Sequence, residues 1–502
     1  MESLSGERIV RQHVRADVIL YPHAAGATQR SSGRVLSHHI GSGKQDAGSI
    51  IACSFGKTLG AAAGQWALTL KSGRDLDLAG DDVAPGDWAR LGLVRNGWRF
   101  PVALGPVQSV RETRTAVDGT TVRTYTVTGT DHGGPFEAPM VYNSLYVQSL
   151  SELSKGIQAT RVGSRIGGSP SELFGLLIGA AFAPGESGTR SAWTLPPGLA
   201  RGGQKTLLDI LRIVAHPTRG GRCNETEMWT QPGQTLHQTL QNWCNPLLNE
   251  MLYDLDTNDP DSDVPMATLH ERPFPTVAQG MASPWFTLPT VTLPDWLIEE
   301  SDLGRQAAER FNLFELTADL GAGTGQIEQT VFCPPVWDPR SIQAHGLHPM
   351  METTRYIGFD APTKFTPTFA PGIAGTLAIV SERVVASMAA WSRERAEWLR
   401  TLVDWHGPNP YLHSGTITVG IALPEARPGM RLEILSANAP RFTAYVEGVQ
   451  LHAAWGLGGP RATTALTVTR GHYGSDESLL ELVRDVSARY VSTLQGGSGA
   501  AP

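Results

Sequence analysis

The sequence predicts an α+β fold that is rich in antiparallel strands and divided into several domains. At 502 residues the chain exceeds the length at which one hydrophobic core keeps growing. Its 55 glycines and 34 prolines favour short strands joined by turns over a helical bundle. Hydrophobic residues make up 41% and charged residues 18%, as in ordinary folded proteins. The helical patterns are confined to a few segments.

Strand patterns fill the amino-terminal part, from Val14 to about Asp131. Apolar and β-branched residues cluster or alternate there between turns that contain glycine. Turn signals stand at residues 85–87 (Pro-Gly-Asp) and 117–119 (Val-Asp-Gly), and the second is well placed for a hairpin. A small barrel or sandwich is expected. The segments are VRADVILYP, GSIIACSFG, QWALTLKSG, ARLGLVRNG, PVALGPVQSV and TVRTYTVTGTD.

From about residue 139 to 255 the apolar spacing becomes helical. One helix is predicted at Leu207, Leu208, Leu211 and Val214, ending before His216-Pro217. A second is predicted at Leu236, Leu240, Trp243, Leu247 and Met251. Pro246 should kink or interrupt the second helix, because proline removes a donor and clashes with the preceding turn. The segment ATLHERPFP then resumes extended structure.

The strongest helix pattern covers residues 376–405. Leu377, Val384, Trp391, Trp398 and Trp405 stand seven residues apart, which indicates a packed face rather than a cofactor-stacking surface. After Pro410 the strand period returns in HSGTITVGIALP, MRLEIL, FTAYVEGVQLHAAW and TTALTVTRG. A last amphipathic helix is predicted at Leu479, Val483, Val486, Tyr490 and Leu494.

The segment ADLGAGTGQ, residues 318–326, is the strongest candidate for a cofactor loop. A nucleotide-binding turn leads from a parallel strand into a helix whose first N–H groups face the ligand. Here Thr330-Val331-Phe332 favour a strand, and Pro334-Pro335 leave no room for a crossover helix. No strand-borne carboxylate follows about 20 residues on. The segment is interpreted as strand, turn and strand, with a methyltransferase that uses S-adenosylmethionine as the alternative.

Other catalytic and metal-binding motifs are absent from the sequence. IGSGK (40–44) and FGKT (55–58) lack the first glycine of a phosphate loop, and neither G-x-S-x-G nor H-E-x-x-H occurs. No catalytic, cofactor-binding or metal-binding residue is assigned, and no cofactor is expected. Four kinds of group do not form a recognisable site. The cysteines, Cys53, Cys223, Cys244 and Cys333, are scattered, and His345 and His348 are too few ligands for a metal. The adjacent carboxylates Asp81, Asp82, Glu299 and Glu300 are interpreted as solvated surface, and His216, His270 and His413 lack a nucleophile or orienting partner.

Composition also limits the partners. The formal net charge is −7 and the isoelectric point about 6.1, so there is no overall basic surface for nucleic acid. The longest apolar run, residues 173–183, is shorter than the roughly 20 residues of a membrane-spanning helix. The amino terminus lacks the apolar core of a signal peptide. We expect neither tight nucleic-acid binding nor stable membrane insertion, although DNA could slide past such a surface.

Four motifs, in order along residues 10–475, resemble those of baseplate hub proteins of long-tailed phages and related contractile injection particles. The first is APGDWARLGLV followed by GPVQSV and TYTVTGTDHG. The second is the segment QTLHQTLQNWCNPLLNEMLYDL with the later ATLHERPFP. The third is IEESDLGRQAAERFNLFEL, and the fourth is FTAYVEGVQLHAAW with TTALTVTRG. The segment 150–230, the tryptophan helix and the turn LGAGTGQ depart from a minimal hub.

The resemblance implies a structural virion protein without enzymatic activity. It implies two tube-like antiparallel β-barrels in one chain, with helical insertions, so that three copies form a pseudo-hexameric ring. Such a homotrimer joins a hexameric tail tube, or tube-initiator proteins, to a trimeric spike, with peripheral wedge proteins around it. DNA or cargo passes the central channel without specific binding. The implied location is the tail baseplate of the virion, assembled in the cytoplasm of a bacterial host.

The resemblance and the patterns together predict six segments. They are residues 1–135, an amino-terminal tube-like β-barrel; 136–285, a mainly helical insertion ending in extended structure; 286–335, the start of a second tube-like barrel; 336–408, an extended and helical insertion with the tryptophan helix; 409–475, the closing strands of the second barrel; and 476–502, a helix and flexible tail. A hub fused to a cell-wall hydrolase is disfavoured because no segment is free for one. A tail-fibre protein is disfavoured because no long repeat is found.

Overall fold

The fold is described from a computed structural model of the chain. Among the predicted segments, the glycine loop after Ala318, the tryptophan pattern before residue 396 and residues 138–194 lie outside the described part. The described residues are 14–21, 38–41, 49–71, 84–117, 120–137, 195–196, 199, 206–215, 222–223, 235–244, 247–256, 265–277, 283–318, 335–354, 356–357, 396–456 and 459–492.

Six of the seven amino-terminal strands form where the sequence predicts them, and the short second strand falls where none is predicted. The seven strands are β1 (Val14–Tyr21), β2 (His38–Gly41), β3 (Ser49–Thr58), β4 (Gln65–Lys71), β5 (Trp88–Arg95), β6 (Trp98–Val117) and β7 (Thr120–Thr130). Asn96 and Gly97 both have positive φ, 53° and 89°, which gives the tight turn between β5 and β6 the twist of its flanking strands. The predicted hairpin at 117–119 is confirmed, because Val117 pairs with Thr120.

The central segment contains more strand than the sequence predicts. It holds β8 (Leu211–Ala215), β9 (Arg222–Cys223), α1 (Leu236–Trp243), β10 (Asn249–Leu255), β11 (Ala267–Pro273) and the short α2 (Pro284–Thr287). The helix predicted at Leu207, Leu208, Leu211 and Val214 is wrong. A single 3-10 turn covers Leu207–Ile210, and β8 then pairs in parallel with β11. Over so few residues an apolar run fits either period, and pairing with β11 supplies the backbone partners of a strand.

The second central helix is confirmed only in its first part. Helix α1 begins with a capping box in which the Thr235 hydroxyl accepts from the Gln238 N–H and the Gln238 side chain accepts from the Thr235 N–H. It ends at Trp243, and the predicted last turn at Met251 lies instead in β10, opposite Glu271. Pro246 falls between the two elements, at the interruption that proline predicts. The strand predicted in ATLHERPFP is confirmed as β11.

The remaining strands lie in a large sheet and in two smaller ones. The strands are β12 (Thr290–Pro294), β13 (Ile298–Gly304), β14 (Leu313–Ala318), β15 (Val336–Trp337), β16 (Pro349–Thr354), β17 (Tyr356–Ile357), β18 (His413–Val419), β19 (Arg431–Leu435), β20 (Phe442–Gly456), β21 (Gly459–Tyr473) and β22 (Val491–Ser492). The helices are α3 (Pro339–His345), α4 (residues 396–406) and α5 (Asp476–Ser487). The strands predicted after Pro410 are confirmed as β18 to β21. The last helix is confirmed as α5 at Leu479, Val483 and Val486, but it ends at Ser487, and Tyr490 lies beyond it, directly before β22; Leu494 lies outside the described residues.

Helix α4 packs as its tryptophan spacing predicts. Trp398 is buried in one core with Phe314, and Trp405 stacks on Phe274 with ring centroids 5.0 Å apart. Strands β16, β14, β15 and β22 form a four-stranded sheet beside this core. Within the part of the chain that the structure describes, no helix is long and apolar enough to cross a membrane.

Eight antiparallel strands form the centre of the large sheet. Their order is β13-β18-β21-β20-β3-β4-β7-β6, and the sheet continues from β6 through β5 and β1 to β2. Strand β19 branches from β20, and β12 pairs with β19. Among the described residues the strands form one large sheet, and no pairing there closes it into a barrel.

The two halves of the eight-stranded sheet have the same strand order. Each half starts with two strands paired to each other, β3 with β4 and β13 with β18. Each half ends with a long hairpin whose second strand lies next to the first pair and whose first strand lies beyond it. In sheet order these are β7 then β6, and β21 then β20. A preceding strand pairs with the first strand of each hairpin, β5 with β6 and β19 with β20. We call these the amino-terminal half-sheet (β3, β4, β7, β6) and the carboxyl-terminal half-sheet (β13, β18, β21, β20).

A shared irregularity supports the equivalence of the two half-sheets. The register of β3 against β4 shifts between Ile50 and Ala52, and that of β13 against β18 shifts between Ile298 and Glu300. Both first strands therefore carry a bulge near their start. The outer strands differ, because β1 runs antiparallel to β5 whereas β12 runs parallel to β19.

Candidate assembly surface

The chemical groups that the sequence singled out do not converge on a site. His413 Nδ1 lies 3.3 Å from the Gly471 carbonyl oxygen, and His348 Nε2 lies 3.2 Å from the His345 carbonyl oxygen. The described residues contain no group of three or more His, Cys, Asp or Glu side chains that could hold a metal ion. Asp81, Asp82, His216, Cys333 and the glycine loop beyond Ala318 lie outside the described residues, as does the side chain of Cys223.

Two of the thiols are buried. Cys53 lies on β3 and Cys244 follows α1, and both side chains are in the core. Burial raises the pKa of the Cys53 thiol to about 12 and that of Cys244 still further. Both thiols therefore stay protonated and act as small apolar side chains.

Strands β10, β11 and β8 form a three-stranded sheet, which we call the central sheet, and a charge network joins it to the carboxyl-terminal half-sheet. Arg272 Nε donates to Glu250 Oε1 at 2.5 Å, and the Tyr445 hydroxyl donates to Glu250 Oε2 at 2.6 Å. Arg272 Nη2 also donates to the Gly429 carbonyl oxygen at 2.6 Å. Glu250 and Tyr445 are buried, and burial raises the pKa of the Tyr445 hydroxyl well above its usual value. Both oxygens of the Glu250 carboxylate accept a hydrogen bond, so the network orients β10 and β11 against β20.

The TGTDHG motif ends β7 in a second buried ion pair. Lys57 and Asp131 form it, and the other oxygen of Asp131 accepts from the Gly133 N–H at 2.9 Å. Burial lowers the pKa of the adjacent His132 to about 4, so its ring is neutral at neutral pH. Lys57 Nζ lies 5.8 Å from the centroid of the Tyr253 ring on β10. The motif therefore ties β7 to β3 and to the central sheet.

A cavity of about 120 Å³ lies between β3, β10, β11 and the loop before β19. Its cationic lining residues already have acidic partners: Lys57 with Asp131, Arg272 with Glu250, and Arg427 with Asp254. Cations and carboxylates balance there. The arrangement is that of a charge-balanced junction between elements and provides no surplus charge for a ligand.

The TRG motif fixes the end of α4. Arg470 on β21 has φ of 55°, and its guanidinium lies 3.4 Å from the centroid of the Trp405 ring. Its Nη2 donates to the Trp405 carbonyl, one of the free acceptors at the carboxyl end of the helix. Burial lowers the pKa of Arg470 to about 9, and burial, followed by the charge of Arg470, lowers that of His406 to about 3. The motif thus has a structural role.

The two half-sheets meet in a strand pair inside the chain, which we call the internal seam. Strand β20 pairs antiparallel with β3 from Gly448↔Thr58 to Ala454↔Ala52. Ala453 and Cys53 face each other across it and are buried. The internal seam is continuous backbone pairing between the equivalent units, rather than a loose side-chain contact.

Within the described part of the chain, the outer ends of the eight-stranded sheet are free edges. Strand β6 pairs with β5 up to Pro106, and beyond Val107 its only partner among the described residues is β7. Strand β13 pairs only with β18 among those residues. Residues 111–116 and 299–302 are exposed on both faces of their strands. Unpaired N–H and C=O groups on such edges are templates for pairing with another chain.

The two free edges carry opposite charge. Residues 108–117, the basic edge, hold Arg111 and Arg114, with Arg123 opposite on β7. The one carboxylate there is Glu112, whose Oε1 lies 2.6 Å from Arg114 Nε. Residues 298–304, the acidic edge, hold the carboxylates of Glu299, Glu300 and Asp302, none of which forms an ion pair with a described residue.

Sequence reasoning found the surface position of Glu299 and Glu300 but missed the edge that they occupy. The missing information was the strand order, because an edge exists only once the neighbours of a strand are known. The sequence did hold a signal in IEESD, where the charged run lacks the alternation of a half-buried strand.

Comparison with known proteins gives matches among solved structures only. No protein-family model matches the chain, and no curated protein matches it. A tail protein from Neisseria meningitidis is 14% identical, with TM-score 0.46, over 90% of this chain and 96% of that one. A 43 kDa tail protein of prophage MuSo2 from Shewanella oneidensis is 11% identical, with TM-score 0.42, over 90% and 98%.

A third match is an E. coli component of the type VI secretion system, described as structurally similar to T4 bacteriophage tail proteins. It is 9% identical, with TM-score 0.36, over 86% of this chain and 77% of that one. The matched structures are described as two tail proteins and a component of a secretion system.

Proposed function

We propose that the chain is a structural protein of a phage tail or a phage-tail-like injection particle, and that it forms the central baseplate hub. Three copies make a ring between a hexameric tail tube and a trimeric spike. The observation that carries the proposal is the pair of equivalent half-sheets joined side by side at the internal seam. Three chains with two such units each present six similar units to one partner and three chains to the other.

The four motifs of the hub resemblance fall on elements that build this arrangement. The first motif supplies β5, β6 and β7, and the fourth supplies the β20–β21 hairpin. The second supplies α1, β10 and β11, and the third supplies β13 and β14. In the proposed ring each half-sheet belongs to one tube-like barrel, and the central segment is the insertion between them.

The sheet face opposite the core suits a passage. Its side chains are mostly small and uncharged, as at Ser54 on β3, Ala67 and Thr69 on β4, and Thr126 and Thr128 on β7. These positions alternate with the buried Phe55, Leu68 and Val127. Such a face provides few cations to hold a polyanion, which supports a channel that DNA or protein cargo passes without specific binding.

The proposal is tested by the mass of the purified chain in solution and by electron microscopy with a trimeric spike protein added. We expect a ring of three chains with a central channel, formed alone or on the spike. A chain that stays monomeric at high concentration and with the spike would contradict the hub. Calorimetric titration with S-adenosylmethionine tests the methyltransferase alternative, and micromolar binding would support it.

A further inference from the structure

We propose that neighbouring copies join head to tail through the basic edge of one chain and the acidic edge of the next, in the register of the internal seam. This inference rests on the proposed ring and names the surface that closes it. Its partner is a second copy of this chain. Three independent observations carry it: strand direction, the equivalence of the half-sheets, and charge.

Strand direction permits the contact. The eight strands from β13 to β6 alternate in direction, and eight is an even number, so β13 and β6 run in opposite directions. A copy placed with its β13 beside β6 therefore continues the antiparallel order without a break. The seven residues of β13 fit along the ten free residues of β6. An edge-to-edge contact of this kind satisfies backbone groups that are otherwise left to water.

The equivalence of the half-sheets defines the register. Strand β20 corresponds to β6, because each is the first strand of a hairpin whose tip pairs Gly456 with Gly459 or Val117 with Thr120. Strand β13 corresponds to β3, because both carry the same bulge, which aligns Glu300 with Ala52. The contact between β6 and a second copy's β13 is therefore the counterpart of the contact between β20 and β3.

Transferring the internal seam residue by residue gives the expected pairs. The pair Ala454↔Ala52 becomes Thr115 opposite Glu300, and His452↔Ser54 becomes Thr113 opposite Asp302. The pair Gln450↔Gly56 becomes Arg111 opposite Gly304, so that a glycine stands on β13 where one stands on β3. A slip of one residue would turn every side chain to the other face.

In this register opposite charges meet on both faces. Arg111 lies diagonally across from Asp302 on one face, since Asp302 stands two residues before Gly304. Glu112 lies opposite Leu303 and diagonally across from Arg305 on the other face. Diagonal cross-strand neighbours are about 7–8 Å apart, within reach of long side chains.

Charge also disfavours the competing contacts between copies. Two basic edges, or two acidic edges, would place like charges side by side, which is unfavourable in a strand pair. Self-complementary dimers through one edge are therefore disfavoured, and the head-to-tail contact is selected. Head-to-tail contacts generate rings when the rotation between copies closes.

A disulfide cross-link tests the register. We expect the double variant Thr113→Cys with Asp302→Cys to form disulfides between chains on mild oxidation, because the two positions face each other. Both positions are exposed, so the change leaves the fold intact. The matched control is Thr113→Cys with Ser301→Cys, whose side chain points to the opposite face of β13. The unmodified chain controls for its own four cysteines.

The cross-linked products test the edge-to-edge contact and the threefold ring separately. Covalent species that end at three chains support both the contact between copies and the ring. A ladder that continues past three chains supports the contact and contradicts the threefold ring. A three-chain particle without the cross-link overturns the contact and leaves the proposed hub unaffected. Equal cross-linking in the Ser301→Cys control overturns the register, and monomers without any cross-link overturn both proposals.

A charge exchange tests the electrostatic part. Arg111→Asp and Asp302→Arg each place like charges together, and each should weaken association about three- to tenfold. The double variant restores opposite charges and should recover most of the loss. Sedimentation equilibrium measures the association. A double variant no tighter than either single one overturns the contact between these residues.

Discussion

Tyr445 shows how single buried residues hold this protein together. Its ring packs edge-on against Trp405 with centroids 5.8 Å apart, while its hydroxyl donates to Glu250 on the central sheet. The ring belongs to the core, and the hydroxyl satisfies a carboxylate that lies out of reach of water. Removing the hydroxyl alone therefore isolates the polar part of the contact, because the ring remains in place.

We expect Tyr445→Phe to lower the free energy of unfolding by about 1–3 kcal/mol, because it leaves a buried carboxylate oxygen without a donor. Urea denaturation followed by fluorescence measures the change. Tyr473→Phe is the control, since that side chain is 47% exposed, and its effect should stay within about 0.5 kcal/mol. Equal effects of the two substitutions would mean that the Glu250 hydrogen bond contributes nothing net.

Glu271 gives the chain a pH dependence of stability. It is buried on β11, neither carboxyl oxygen has a hydrogen-bond partner among the described residues, and burial raises its pKa to about 8. The folded state therefore holds this proton more tightly than the unfolded chain, whose carboxyl titrates near its ordinary value of 4.5. Its contribution to stability is fully present below about pH 4.5 and is lost as pH rises towards about 8.

We expect Glu271→Gln to remove this slope, because an amide does not ionise. The variant should gain stability relative to the parent as pH rises from about 5 to 8, by at most about 1.4 kcal/mol per pH unit. Chemical denaturation at several pH values measures it. Glu481→Gln on an exposed part of α5 is the control. A constant difference between Glu271→Gln and the parent across this range would refute the assignment.

At the scale of elements, the acidic edge depends on one glycine. Gly415 on β18 has φ of +153°, and a Cβ there would lie 1.9 Å from the Asp302 carbonyl oxygen of β13. The close approach of the two backbones thus requires a residue without a side chain. Gly304 on β13 differs from Gly415, because a Cβ added there would have no other atom within 4 Å.

We expect Gly415→Ala to push β13 away from β18 and to destabilise the fold by about 2–3 kcal/mol. The loosened strand should also be cut faster by trypsin at Arg305, just beyond its end. Gly304→Ala, on the same strand pair, should leave both stability and cleavage nearly unchanged. Two variants with the same cleavage rate would contradict the close approach at Gly415.

Elements with a clear period were predictable from the sequence, whereas those defined by distant partners were not. The alternation in TTALTVTRG predicts β21, and the tip at 117–119 predicts the β6–β7 hairpin. Strand β8 escaped prediction because its state depends on pairing with β11, more than fifty residues later in the chain. The candidate edges escaped for the same reason, since the freedom of β13 follows from the order of the whole sheet.

At the scale of the molecule, we expect the same kind of strand contact to occur both within one chain and between two copies. The β20–β3 contact is made within the chain and costs no association entropy, so it should persist at any concentration. The contact between the basic and acidic edges needs a second copy and should follow mass action. The internal seam therefore serves as a reference for the contact between copies. Both contacts have the same strand topology, but only the contact between copies depends on assembly.

Hydrogen exchange separates these two versions. In the monomer we expect the outward-pointing amides of residues 108–117 and 298–304 to exchange fast, because these edges lack backbone partners among the described residues. The amides of β3 and β20 in the internal seam should be protected at every concentration. On assembly the two outer edges should become protected together while the seam stays unchanged. Protection that appeared on one edge only would contradict head-to-tail pairing, because each strand pair in the ring uses one edge of each kind.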